Sequence, residues 1–263
     1  MLLKAEGTEV YYELHGEKGP KVLLLHGWGC DSSLMRPVSE RLQDEYRTLT
    51  IDFPGHGKSG RPPEPWGVPE YARCLASLLD QLDFSPCAVI AHSFGARVAA
   101  YLAAEDPSRF TKIVLTGAAG IRKPPTEEDK QRNADFQRKK QMAARLKAVP
   151  GLRGFAERTE EKLRQKYGSP DYRALDPEMR KTFVKVISQD LQEYYPKIQQ
   201  STLLIWGDRD TETPMWMGDK IESLIPDAGL VLLGGGTHFA YLERLNEFVL
   251  IVKNFLGPEN RMF

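Results

Sequence analysis

The chain has 263 residues, 41% of them hydrophobic, which is enough for the core of one large domain or of a domain with an insertion. Its 36 Lys and Arg residues equal its 36 Asp and Glu residues in number, so no overall positive charge favours binding to nucleic acid. No apolar run is long enough to span a membrane, residues 1–6 lack the layout of a signal peptide, and the three cysteines suggest neither a disulfide framework nor a metal site. We therefore expect a cytoplasmic protein without a membrane or nucleic-acid partner.

Strands and helices are predicted to alternate along the first part of the chain. Residues 2–14 alternate between apolar and polar side chains, which indicates two antiparallel strands joined near Gly7. Continuous apolar runs at 22–25 and 48–51 are typical of parallel strands that are buried on both faces. Helices are predicted from Asp31 or Ser32 to about Leu42, and over residues 70–82, where apolar side chains recur at helical spacing.

A loop of two glycines around an aromatic residue, His26-Gly27-Trp28-Gly29, follows the first of these apolar runs. Because glycines allow the backbone to approach a substrate closely, the backbone amide of Trp28 is a candidate donor to an oxyanion. An ordinary turn between a strand and a helix is the alternative. His26 is interpreted as a structural residue that fixes the loop. Asp52 and His56, in the next glycine-rich loop, are interpreted as residues whose hydrogen bonds are made within that loop, and not as catalysts.

The sequence around Ser93 predicts a nucleophile elbow, which is a tight turn between a buried strand and a helix. The apolar strand is predicted over residues 87–91, and a helix begins directly after the serine. Small residues, Ala91 and Gly95, lie two positions before and after it, as such a turn requires. The turn would expose the serine hydroxyl and direct the backbone amide of Phe94 toward an oxyanion. The alternative is that Ser93 only caps the helix.

Residues 122–195 differ in character from the rest, because charged residues dominate, the periodicity is helical and no strand-like run occurs. We predict a helical cap, or lid, inserted into a core domain made of residues 1–121 and 196–263. The basic clusters are interpreted as solvated helix faces, with binding of an anionic partner as the alternative. The apolar side chains predicted to line or cover the pocket are Phe136, Met142, Leu146, Leu152, Phe155, Phe183, Val186 and Ile187.

Further strands are predicted after the insertion, and polar loops follow them. Asp210 and His238 lie just beyond the apolar runs at 202–206 and 230–233, as Ser93 lies beyond its own strand. In a mostly parallel sheet, active residues gather at the carboxyl ends of the strands. The order serine, acid, histidine along the chain is also the order of hydrolases with a nucleophile elbow.

The residue types define the roles of a catalytic triad. A serine needs a base within hydrogen-bond reach, and His238, on a glycine-rich loop, is the best candidate among the five histidines. His92 is next to the serine, but successive side chains diverge at a sharp turn, so it is interpreted as a pocket-wall or packing residue. The base needs a buried carboxylate as its partner. Asp210 is favoured over Asp208 because it lies further out in its loop, and Glu212 is a third choice.

Together these stretches resemble the α/β-hydrolase family over nearly the whole chain, including the helical cap. The matching stretches are His26–Gly29, Asp52–Ser59, Ala91–Gly95, Trp206–Asp210 and Gly236–His238, with Glu243 after them. The resemblance implies an α/β fold with a mostly parallel eight-stranded sheet, helices on both faces and an inserted helical cap. It also implies that Ser93 is the nucleophile, Asp210 the acid and His238 the base, with the amides of Trp28 and Phe94 as the oxyanion hole. Neither a metal nor an organic cofactor is implied.

We therefore expect a serine hydrolase, and specifically a carboxylesterase that acts on esters with small to medium acyl or alcohol groups through an acyl-enzyme intermediate. The alternatives on the same triad are hydrolysis of a C–C bond in a diketone, hydrolysis of a thioester, and aminopeptidase-type release of an N-terminal residue. A ligand-binding receptor with a slow triad, and a docking module that uses the basic clusters, are alternatives from other classes. The expected partner is a small ester-like substrate, and the expected state is a monomer or a homodimer.

Overall fold

The structure is a computed structural model that describes residues 1–122, 126–147, 152–167 and 170–257. Within these ranges, eight strands form one sheet: β1 (Leu2–Ala5), β2 (Thr8–His15), β3 (Lys21–Leu25), β4 (Arg47–Ile51), β5 (Cys87–His92), β6 (Phe110–Thr116), β7 (Thr202–Gly207) and β8 (Ala228–Leu233). Their order across the sheet is β1-β2-β4-β3-β5-β6-β7-β8. Strand β2 is antiparallel to β1 and to β4, and all the other pairs are parallel.

The α-helices are α1 (Arg36–Leu42), α2 (Val68–Gln81), α3 (Phe94–Glu105), α4 (Glu127–Lys147), α5 (Arg153–Tyr167), α6 (Pro170–Ala174), α7 (Pro177–Ser188), α8 (Met215–Leu224), α9 (Ala240–Glu243) and α10 (Leu245–Leu256). Helix α2 begins two residues before the predicted start. Proline is tolerated in the first turn of a helix, so Pro69 fits there, and the Glu70 carboxylate accepts the Gly67 amide at 2.7 Å. Across the described part of the chain, no helix is both long and apolar enough to cross a membrane.

Two apolar cores cover the two faces of the sheet. Side chains alternate along β3, where Leu23 and Leu25 belong to one core and Val22 and Leu24 to the other. Helices α2 and α3 pack in the first core, and helices α1 and α10 pack in the second. The predicted α/β class, with a mostly parallel eight-stranded sheet and helices on both faces, is therefore confirmed.

The chain divides into two compact units, one formed by Met1–Ile121 with Val184–Phe263 and the other by Arg122–Phe183. The second unit is shorter than the predicted insertion of residues 122–195. Residues after Phe183 group with the sheet because Arg97, on α3, donates to the carbonyl oxygens of Val186 and Gln189. The use of the second unit as a cap stays a prediction.

Within the second unit, helices α4 and α5 pack against each other. The Tyr167 hydroxyl donates to Asp135 at 2.8 Å, and its ring lies 5.4 Å from the ring of Phe136. Of the apolar residues predicted to line the pocket, Met142 and Phe155 are 58% and 56% exposed, so neither side chain is covered.

Candidate active site

Ser93 forms the tight turn between β5 and α3. Its φ is +49° and its ψ is −104°, a conformation that residues with a side chain rarely adopt. Its amide donates to the carbonyl oxygen of Thr116 at 3.1 Å, and its own carbonyl accepts the amide of Ala119 at 3.3 Å. Ser93 occupies the N-cap position of α3, but its side chain makes no capping hydrogen bond. Simple helix capping therefore does not explain this serine.

Gly95 allows the turn to be this tight. A Cβ atom at this position would lie 2.8 Å from the carbonyl oxygens of Leu25 and His26. Its amide donates to the His26 carbonyl at 3.1 Å, so helix α3 starts in direct contact with the end of β3. The close approach explains why a small residue is needed two positions after Ser93.

The structure pairs Asp210 with His238. The imidazole Nδ1–H donates to the carboxylate Oδ2 at 2.8 Å, and the Asp210 side chain is fully buried. The other carboxylate oxygen accepts the backbone amides of Glu212 and Thr213, both at 2.9 Å. Burial raises the pKa of Asp210, but the hydrogen bonds from His238 and Thr213 outweigh it and hold the pKa below its usual value. The carboxylate is thus kept ionised next to an imidazole, as an acid–base pair requires.

Asp208 and Glu212, the other two carboxylates considered from the sequence, do not reach the imidazole. Asp208 accepts the backbone amide of Gly235 at 2.7 Å and so ties its own loop to the loop that carries His238. Glu212 is exposed, and its contribution to the pair is its backbone amide. Of the three, Asp210 is the carboxylate that the fold brings to His238.

Ser93 and the acid–base pair flank the same short segment at the end of β6. Thr116 accepts the Ser93 amide, and a Cβ atom on the next residue, Gly117, would lie 3.1 Å from His238 Nδ1 and 3.3 Å from Asp210 Oδ2. Within the described residues, no hydrogen bond joins the Ser93 hydroxyl to the imidazole. Such bonds are often long in the absence of substrate and tighten when substrate binds.

The loop predicted to supply an oxyanion donor passes directly beside Ser93. A Cβ atom on Gly27 would lie 3.4 Å from the Cβ atom of Ser93. His26 fixes the loop, because its Nδ1–H donates to the Gly27 carbonyl at 2.7 Å and its Nε2 accepts the Phe53 amide at 3.0 Å. Burial lowers the pKa of His26, so the ring stays neutral and can both donate and accept.

The two predicted oxyanion donors, Trp28 and Phe94, are neighbours in space. Their rings pack edge to face with centroids 5.2 Å apart. The amide of Phe94 is the first of helix α3, where amides point out of the helix end and carry partial positive charge. Stabilisation of an oxyanion by these two amides stays a prediction.

The side chains of Asp52 and His56 form hydrogen bonds with backbone groups in and next to their own loop. The Asp52 carboxylate accepts the amides of Ser32 at 2.7 Å and Lys58 at 2.8 Å. The His56 Nδ1–H donates to the Pro54 carbonyl at 3.3 Å, and burial together with His26 lowers the pKa of His56 to about 4. Both residues hold the loop, and neither is paired with Ser93 or His238.

Two residues contribute to the site in ways that the sequence did not indicate. The Thr213 hydroxyl donates to Asp210 Oδ2 at 2.8 Å, and the spacing of three residues between an aspartate and a threonine is the one signal that suggests such a turn. His92, interpreted from the sequence as a pocket-wall or packing residue, donates from Nε2 to the backbone carbonyl of His238 at 2.9 Å. In the described part of the chain, no group of three His, Cys, Asp or Glu residues is arranged to hold a metal ion.

Comparison with known proteins agrees with this architecture. A family model described as alpha/beta hydrolase fold matches residues 20–245. A pimeloyl-[acyl-carrier protein] methyl ester esterase of Aliivibrio salmonicida is 23% identical over 96% of this chain and 98% of its own length. A poly(3-hydroxyalkanoate) depolymerase of Ectopseudomonas oleovorans is 27% identical over 91% of this chain and 85% of its own length.

Solved structures share the fold. The enol-lactonase from Burkholderia xenovorans LB400 aligns with a TM-score of 0.75 at 24% identity, over 98% of this chain and 100% of that protein. A meta-cleavage product hydrolase from Pseudomonas fluorescens IP01 aligns with a TM-score of 0.71 at 21% identity, over 98% and 97% of the two chains. At these identities the similarity concerns the fold alone.

Proposed function

Because the chain belongs to the alpha/beta hydrolase fold family and is a hydrolase, we propose that it cleaves carboxylic esters of small to medium acyl or alcohol groups by serine catalysis. The observation that carries the proposal is the buried Asp210–His238 pair, 2.8 Å long, beside a serine in a strained turn. The esterase among the relatives favours an ester as the substrate.

The proposed reaction has two steps. The Ser93 hydroxyl attacks the ester carbonyl, and its proton passes to Nε2 of His238, which delivers it to the leaving alcohol. Water then attacks the acyl-enzyme, gives a proton to the same nitrogen and releases the acid, and that proton returns to Ser93. Asp210 holds the Nδ1–H tautomer and stabilises the imidazolium that forms in each step. The amides of Trp28 and Phe94 are the proposed donors to the tetrahedral oxyanion.

The insertion Arg122–Phe183 is proposed to be the cap that selects among substrates. Its described residues form helices rich in charged side chains, whereas the strands of the sheet belong to the other unit. This part of the proposal concerns the choice of substrate, and the chemistry depends on the sheet-forming unit.

A substrate panel tests the proposal. We expect the purified protein to hydrolyse p-nitrophenyl esters of short and medium acyl chains faster than a thioester, a vinylogous diketone or an aminoacyl anilide. Ser93→Ala should abolish the turnover. Ser85→Ala is the matched control, because it removes a buried serine hydroxyl without a protein partner in the described residues and should leave the rate unchanged. Undiminished hydrolysis by Ser93→Ala, or a faster reaction with the diketone or the anilide, would contradict the proposal.

A further inference from the structure

His92 links the strand that carries Ser93 to the loop that carries His238. It is the last residue of β5, and its Nε2 lies 2.9 Å from the backbone carbonyl oxygen of His238, which is 146 residues away along the chain. Because a carbonyl oxygen only accepts hydrogen bonds, the His92 imidazole carries its proton on Nε2 and a lone pair on Nδ1. The residue that directly precedes the proposed nucleophile therefore holds the backbone of the proposed base.

The ring of His92 is buried among other rings. It is 1% exposed, and its centroid lies 4.7 Å from His238, 5.1 Å from Phe239 and 4.9 Å from Tyr241. In the described residues, Nδ1 has no hydrogen-bond partner, and a Cβ atom on Gly27 would lie 2.8 Å from it. A polar ring that is buried with one nitrogen unpaired costs free energy that an apolar side chain avoids. Packing alone therefore does not account for a histidine here, whereas the bond from Nε2 does.

Other hydrogen bonds hold the loop around His238, and two of them have effects different from that of the bond from His92. The bond to Asp210 sets the rotation of the imidazole, and the Thr237 amide, which donates to Glu243 at 2.7 Å, ties the loop to the following helix. The carbonyl of His238 accepts no other hydrogen bond among the residues that the structure describes. In the part of the chain that the structure describes, the hydrogen bond from His92 is the one that joins the His238 backbone to the end of β5.

We propose that His92 is a positioning residue for the serine hydrolase reaction, an inference that rests on the proposed function: its Nε2–H holds the backbone of His238 in register with Ser93. A displacement of about 1 Å between reacting groups can lower a rate by roughly 10²-fold. One neutral hydrogen bond can thus affect the rate more than it affects the stability.

The hydrogen bond from His92 to the His238 backbone is expected to be insensitive to pH in the range used for assays. The titratable groups that face His92 are His238, Asp210, His26 and Tyr241. Burial and the neighbouring His238 lower the pKa of His92 to about 3, so the ring stays neutral near pH 7 and keeps its donor. A loss of rate on substitution would therefore reflect the lost donor and not a changed charge at this position.

Three substitutions of His92 separate its hydrogen bond from its packing. His92→Phe keeps a ring without a donor, His92→Gln places an amide N–H near the position of Nε2, and His92→Asn carries the same amide one methylene too short. We expect His92→Phe and His92→Asn to lower kcat for p-nitrophenyl acetate by roughly 10- to 100-fold with KM unchanged. His92→Gln should retain kcat within about threefold of the wild type. If His92→Phe does not fold, the comparison of the two amides still decides the question.

Tyr241→Phe is the matched control, because it removes a buried hydroxyl that has no hydrogen-bond partner in the described residues and leaves the ring against His92 in place. Its kcat should equal that of the wild type. Full kcat in folded His92→Phe, or an equal loss in the Gln and Asn variants, would overturn the proposal.

A second measurement is independent of activity. Long-range ¹H–¹⁵N spectra of the full chain, with the His92 signals assigned by their absence in His92→Gln, should show the Nε2–H tautomer throughout pH 6–8. Observation of the Nδ1–H tautomer would contradict the proposed hydrogen bond from His92 to the His238 carbonyl. Turnover that persists in Ser93→Ala would defeat the proposed function without altering the tautomer result, so the two failures are distinguishable.

Discussion

Replacing Thr213 by valine tests the hydrogen bond from its hydroxyl to the proposed catalytic acid. The substitution removes the hydroxyl, which donates to Asp210 Oδ2 at 2.8 Å and lies 3.3 Å from His238 Nδ1. It keeps the Thr213 backbone amide, which donates to Oδ1 at 2.9 Å, and the carbonyl that accepts the indole N–H of Trp206 at 2.7 Å. The two side chains are similar in volume and Thr213 is buried, so the loop should keep its conformation.

The expected decrease in the free energy of unfolding follows from the charge and the burial of the acceptor. A lost hydrogen bond to a charged group lowers the free energy of unfolding by about 1.5–3 kcal/mol, and in a protein of this size that lowers Tm by about 3–12 °C. The pKa of Asp210 is lowered in the folded state. A carboxyl with a lowered pKa contributes stability that is fully present above its unfolded pKa of about 3.9 and is lost as the pH falls through its folded pKa. The difference between wild type and Thr213→Val should therefore be full at pH 7 and shrink below about pH 4.

Urea unfolding followed by circular dichroism between pH 3 and pH 7 measures this difference. Thr202→Val is the matched control, because the Thr202 hydroxyl is buried and donates at 3.0 Å to the carbonyl of Gln200, a neutral acceptor. That variant should lose about 1 kcal/mol at every pH. Thr213→Ser, which keeps a hydroxyl, should recover most of the stability at pH 7. A difference for Thr213→Val that does not change with pH, or that equals the control, would refute the reasoning.

Three further substitutions test the site and its surroundings. Asp210→Asn should lower kcat about 10⁴-fold in ester assays while the circular dichroism spectrum is unchanged, because an amide favours the wrong tautomer of His238; a loss of less than tenfold would contradict the assigned acid. Gly207→Ala should lower both Tm and kcat, because the new Cβ would clash with two carbonyl oxygens of the loop that carries His238. Gly229→Ala, on the neighbouring strand, is the control: its Cβ would meet nothing within 4 Å, so neither Tm nor kcat should change. Asp52→Asn should lower the free energy of unfolding by about 1–3 kcal/mol, because the carboxylate accepts hydrogen bonds from two backbone amides. The same substitution should change kcat/KM by less than about tenfold. A kcat loss as large as that of Asp210→Asn would instead indicate that Asp52 is catalytic.

The class of fold and its strands follow from local patterns in the sequence. Continuous apolar runs predict the parallel strands because both faces of the sheet are covered, and each run lies within an observed strand. The elbow around Ser93 is predicted from a short motif, although Gly95 has to be small because of Leu25 and His26, which are distant along the chain. Apolar runs and short motifs are visible in consecutive residues, so one sequence is enough to predict these features.

Contacts between distant loops are harder to predict. The Thr213 hydroxyl and the Nε2–H of His92 acquire their roles only when the loops after β5, β7 and β8 meet, and periodicity does not specify which atoms then face each other. For a similar reason, the sequence does not indicate where the second unit ends. Helix α7 runs continuously through the boundary at Phe183, and long-range contacts such as those from Arg97 distinguish the residues that follow.

Labelling with a fluorophosphonate probe tests the central claim most directly, because the probe reacts with a serine that is activated as a nucleophile. Mass spectrometry of the wild type should find one adduct per chain, on the peptide that contains Ser93. The rate of labelling should fall by orders of magnitude in His238→Ala. No adduct, an adduct on another residue, or unchanged labelling in His238→Ala would contradict the account.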